Sequence, residues 1–89
     1  MKVAADISLY PLQENFEPPI IDFIHHLRNI EGLQVHTNEL TTQVSGDYTL
    51  VMNTLRDAMA HTFAQGGTYS FVIKVLNVAI EPGKTVALS

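Results

Sequence analysis

The sequence predicts a small α+β domain, and three observations carry that prediction. Apolar residues alternate with polar ones in several short stretches, they recur every three or four positions in two longer ones, and the two kinds follow each other in the order β-α-β-β-α-β. No linker, internal repeat or low-complexity tract interrupts that order.

The first strand is Val3 to Leu12. Val3, Ala5, Ile7 and Leu9 share one face of a two-residue period, Asp6, Ser8 and Tyr10 share the other, and Pro11, with no N–H for a ladder, ends it. A loop over Gln13 to Glu17 leads to Pro18-Pro19, residues suited to a first helical turn, with Glu17 at its positive end. Ile20, Phe23, Ile24, Leu27 and Ile30 then make one helical face, which Gly32 is expected to close as the residue after the C-cap. Leu33 to Asn38 and Thr41 to Ser45 alternate again, and the turn Asn38-Glu39-Leu40 between them predicts an antiparallel hairpin. Asp47 is placed to cap a second helix with the face Val51, Leu55, Ala58, Met59, Thr62 and Phe63, and Gly66-Gly67 stops it. Thr68 to Ile80, rich in β-branched and aromatic residues, predicts a long last strand that ends at Glu81-Pro82-Gly83.

Two right-handed crossovers that share a hairpin give the ferredoxin-like arrangement: a four-stranded antiparallel sheet, both helices on one face, and the first and third strands central. Residues 1–82 are expected to form the single domain and residues 83–89 a C-terminal tail. By parity Ile7, Leu9, Val35, Val44, Phe71, Ile73 and Val75 point at the helices, while Asp6, Ser8, Tyr10, His36, Asn38, Thr41, Gln43, Ser45, Val72, Lys74 and Leu76 point away. That second face is expected to be bare, polar in its middle and oily along the last strand. Such a face suits a second subunit or a ligand.

Composition narrows the function. At 89 residues a single core barely offsets the entropy of ordering the chain, and 46% hydrophobic residues with 16% charged is more apolar surface than so small a body hides, which points to self-association. A net charge of −4 with five scattered Lys and Arg counts against nucleic acid. The absence of cysteine excludes disulfides, thiolate metal sites and cysteine nucleophiles. No secretory leader and no apolar run of membrane-spanning length is read, so the expectation is a cytoplasmic protein with no membrane partner.

Few residues carry reactive chemistry. His25 and His26 diverge around a helix, His36 and His61 belong to other elements, and no metal site is expected. Ser8 has no His/Asp partner or glycine elbow, so no catalytic residue is assigned to it. Gly66-Gly67-Thr68 follows a helix instead of preceding one and reads as a stop, not a phosphate loop. Met52 and Met59 are read as core packing. Asp6 and Glu39 are the two carboxylates to weigh as an acid/base pair, yet nothing in the sequence brings them together, and the chain is read as a binding protein and not an enzyme. There remain uncharged donors and acceptors, Ser8, Tyr10, Asn38, Thr41 and Thr42, with Glu39 close by. Such a set can satisfy the edge of a flat heteroaromatic while a ring covers its face.

The chain resembles the YkoF-like thiamine-binding family. The likeness rests on Ser8-Leu9-Tyr10-Pro11-Leu12 closing the first strand, Pro19-Ile20 opening the first helix, Gly32-Leu33-x-Val35 opening the second strand, and Thr42-x-x-x-Gly46-Asp47 leading into the second helix. It spans roughly residues 3 to 80. The resemblance implies a ferredoxin-like domain that forms dimers or tetramers through its sheet and binds thiamine or hydroxymethylpyrimidine without chemistry, with no further cofactor. Ser8 and Tyr10 match the family's strand-end site residues, and Thr41 and Thr42 its polar third-strand residues. Thr41 stands where members carry glycine. An assembly domain without a small-molecule ligand is the alternative expectation.

Overall fold

A computed structural model describes residues 1–87 of the chain. The elements are β1 (Lys2–Pro11), α1 (Glu17–Arg28), β2 (Gln34–Thr37), β3 (Thr42–Asp47), α2 (Tyr48–Phe63) and β4 (Tyr69–Leu76). Their strands make one four-stranded antiparallel sheet in the order β2-β3-β1-β4, so β1 and β3 are central as the sequence predicts. The alternation in β1 sends Val3, Ala5, Ile7 and Leu9 into a core shared with Val44, Phe23, Leu27, Val51, Leu55 and Ala58. Each large aliphatic or aromatic member of that set stabilises the fold by about 1.5–3 kcal/mol relative to staying in water.

Both helices start where local chemistry allows. Pro18 and Pro19 occupy the first turn of α1, and the Asp47 side chain accepts the Thr49 N–H at the start of α2. The end of α1 differs from expectation. The helix stops at Arg28, and Gly32, with φ at +86°, belongs to a later turn: Ile30 N–H donates to the Leu27 carbonyl and Leu33 N–H to that of Ile30. These tight bonds unwind the helix before the glycine is reached. In α2, Thr54 is buried beside the predicted face, and Met52 lies on the surface instead of in the core, where Met59 alone of the two packs.

The last strand stops at Leu76, four residues short of the expected Ile80. Leu76 pairs with Ala4, so β1 has almost no chain left to pair with residues beyond it. The chain then turns across the face that parity left open. Ile80 borders the same small clefts as Ala4, Gln43 and Ser45, and the Gly83 N–H donates to Gln43 Oε1 at 2.9 Å. Gly83 has φ at +79°, and a Cβ there would sit 2.5 Å from the His36 ring. The helix-free face is therefore partly covered by this strap, and Ala4 and Ser45, which point toward it, are buried. Residues 88–89 of the expected tail lie outside the described residues.

Candidate functional site

β1 outruns β3. Its pairing with β3 covers Lys2 to Ile7, whereas its pairing with β4 continues through Pro11. From Ser8 onward β1 has no neighbour on the β3 side, and a cavity of about 490 Å³ fills that gap. One wall is the free edge of β1, the second is the β2–β3 turn from Thr37 to Thr42, and the third is Phe16 with the first turns of α1 at Ile20, Phe23 and Ile24.

All six residues singled out in the sequence line this cavity: Ser8, Tyr10, Asn38, Glu39, Thr41 and Thr42. They reach it from both faces of the sheet, because a gap in the sheet is open to both. Three of them are occupied with the protein itself. The Asn38 Oδ1 accepts the Leu40 and Thr41 N–H groups at 2.9 and 3.0 Å and holds the turn. The Thr41 hydroxyl donates to Asp6 and lies 3.1 Å from the Ile7 carbonyl. Thr42 and Thr37 share a hydroxyl–hydroxyl bond at 3.1 Å. Ser8, Tyr10 and Glu39 have no such engagement among the described hydrogen bonds, and they are the side chains free to meet a guest.

The backbone adds a feature that side-chain reading misses. In an antiparallel strand the N–H and C=O of one residue point to the same neighbour, and successive residues alternate sides. Ile7 turns its carbonyl toward Thr41, and Leu12, of opposite parity, donates its N–H to Thr68 next to β4. Leu9 therefore turns its N–H and C=O into the gap, where β3 offers nothing. A donor and an acceptor stand side by side on a rigid strand, between apolar walls.

Phe16, Ile20, Ile24 and Leu40 also line the cavity and were not singled out. The signal for Leu40 was in the sequence, since an apolar residue at a turn tip, here 86% exposed, has no folding reason to be there. Nothing marked Leu9, whose side chain reads only as core. The two carboxylates do not meet on the cavity: Glu39 lines it, while Asp6 stands behind Thr41 with Lys74 at 4.0 Å. The remaining polar cluster lies between the helices, where His61 Nε2 is 3.0 Å from Asp22, Gln65 bonds the same carboxylate, and the His26 and His61 rings stack at 5.7 Å. Among the described residues no three His, Asp or Glu side chains gather as a metal site, and no helix is long and apolar enough to cross a membrane.

No family model matches the sequence, and no curated protein does either. Solved structures do match the fold. A Streptococcus pneumoniae protein superposes with a TM-score of 0.82 at 18% identity over 90% of each chain. A Thermotoga maritima protein provisionally assigned to thiamine biosynthesis or salvage gives 0.80 at 15% identity, covering 91% of this chain and 90% of its own. A Bacillus cereus domain of unknown function, DUF77, gives 0.72 at 14% identity, over 99% of this chain and 84% of that one. At these identities the likeness is one of fold, and this chain shares its βαββαβ architecture with proteins that include one linked to thiamine.

Proposed function

We propose that this protein binds thiamine, or its hydroxymethylpyrimidine part, without chemistry, in the cavity beside the unpaired end of β1, and that it does so as a homo-oligomer. The observation that carries the reading is the free edge at Leu9. An aminopyrimidine presents an amino donor next to a ring-nitrogen acceptor, and the Leu9 C=O and N–H are their complement, each bond contributing a net ~0.5–1.5 kcal/mol. The apolar walls take the ring's faces, and Phe16 and Tyr10 supply aromatic cover. Where a thiazolium is attached, Tyr10 offers a cation–π contact of about 0.5–2 kcal/mol and Glu39 an opposite charge at the rim. The thiamine-linked Thermotoga neighbour and the resemblance of Ser8 to Leu12 support the same reading.

Titration calorimetry with thiamine and with hydroxymethylpyrimidine tests this. Binding in the micromolar range is expected, equivalent to about 8 kcal/mol. Silence at millimolar ligand would overturn it. One observation favours a second reading, an assembly domain with no guest: Val72, Val75 and Leu76 on β4 are 58, 44 and 47% exposed. Under that reading the oligomer forms and both titrations stay flat.

A further inference from the structure

We propose that the outer edge of β4 pairs with the same edge of a second copy of this chain, joining the two sheets into one across a two-fold axis at Val72. This takes up the self-association in the proposed function and names its surface. β4 is last in the sheet, bonded to β1 alone, and its register is unbroken from Leu76 opposite Ala4 to Tyr69 opposite Pro11. Edge strands are ordinarily blunted by shortness, proline, bulges, charges or a covering segment. The other edge, β2, is four residues long; β4 has eight, no proline, no bulge and a single charge, Lys74. The strap leaves β4 toward Gln43 and His36, away from this edge, and so leaves it uncovered.

The partner is a second copy because the edge is complementary to itself in one register. Ser8 and Tyr10 of β1 share the parity of Leu12, whose N–H faces the β4 side, so their partners Val72 and Ser70 turn their backbone groups inward. Tyr69, Phe71, Ile73 and Val75 then turn theirs outward. Only an antiparallel pairing centred on Val72 matches all of these, Tyr69 with Val75 and Phe71 with Ile73 of the second copy. That register also sets the exposed Val72 against its own counterpart and Lys74 against Ser70. A pairing centred on Lys74 would oppose two ammonium groups and leave Tyr69 unpaired.

The chain has no cysteine, so single introduced thiols read the register directly. Directly opposed residues at such a non-hydrogen-bonded position lie about 4.5 Å apart at Cα, within disulfide range. Val72→Cys under mild oxidation is expected to give a covalent dimer, and Lys74→Cys is expected to stay unlinked. Val72→Lys should weaken the dimer by about tenfold or more in sedimentation, with an unchanged circular dichroism spectrum. A monomeric wild type at high micromolar concentration, equal cross-linking of both thiols, or an undiminished Val72→Lys dimer each overturns the proposal. Thiamine titration into Val72→Lys separates the two readings: heat from that variant leaves ligand binding standing whatever happens to the dimer, and flat titrations with an intact wild-type dimer overturn the ligand alone.

Discussion

Asn38 shows how one residue's polarity is spent. Its carbonyl oxygen takes two backbone N–H groups of the β2–β3 turn, so the side chain builds the cavity wall instead of facing a guest. Asn38→Ala is expected to cost about 1 kcal/mol in urea unfolding, while Asn38→Asp, which keeps the acceptor, stays close to wild type. A ligand-directed role would reverse that ranking in calorimetry and leave stability alone. Ser8 is the contrasting case. Its hydroxyl is unengaged among the described bonds and it lines the cavity, so Ser8→Ala should reduce hydroxymethylpyrimidine affinity several-fold, measured by titration, with little change in stability.

Among the elements, the strap is the one whose anchoring rests on a single backbone shape. Gly83 combines a positive φ with contact against His36, so Gly83→Ala meets both a strained backbone, about 1–2 kcal/mol, and a collision with the ring. The expected outcome is a strap that lifts, seen as faster amide exchange at residues 77–83. His36→Ala should relieve part of the cost, so the double variant is more stable than the sum of the single ones. At the other end of the sheet, Asp47→Ala removes the cap of α2 and should cost about 0.5–2 kcal/mol in thermal or urea unfolding.

On the scale of the whole molecule, a domain this small holds a margin of about 5–15 kcal/mol, and one core side chain is a large part of it. Leu27, fully buried under the sheet, should lose about 2–5 kcal/mol on Leu27→Ala, with the urea midpoint falling and the slope unchanged. Phe71 ties the edge strand back to both helices, its ring 5.2 Å from Phe23 and 5.6 Å from Phe63. If two copies meet at that strand, the melting temperature should rise with protein concentration, and Val72→Lys should shift that rise to about tenfold or more higher concentration.

The sequence by itself determined the order of the elements, the antiparallel sheet and its two central strands, the proline-bearing first turn of α1 and the Asp47 cap of α2, and the parity of β1 and β4. Those come from local periodicity and from which residues lack an N–H or supply a cap, and both are written in neighbouring positions. The tertiary structure alone decided where strands run out of partners. β1 is longer than β3 by the residues that carry Ser8 to Pro11, and only Lys2 and Val3 of β1 lie beyond the pair that Ala4 makes with Leu76. A cavity beside the first and a strap after the second are consequences of mismatched lengths between segments far apart in the chain. No periodicity in either segment records the length of its partner.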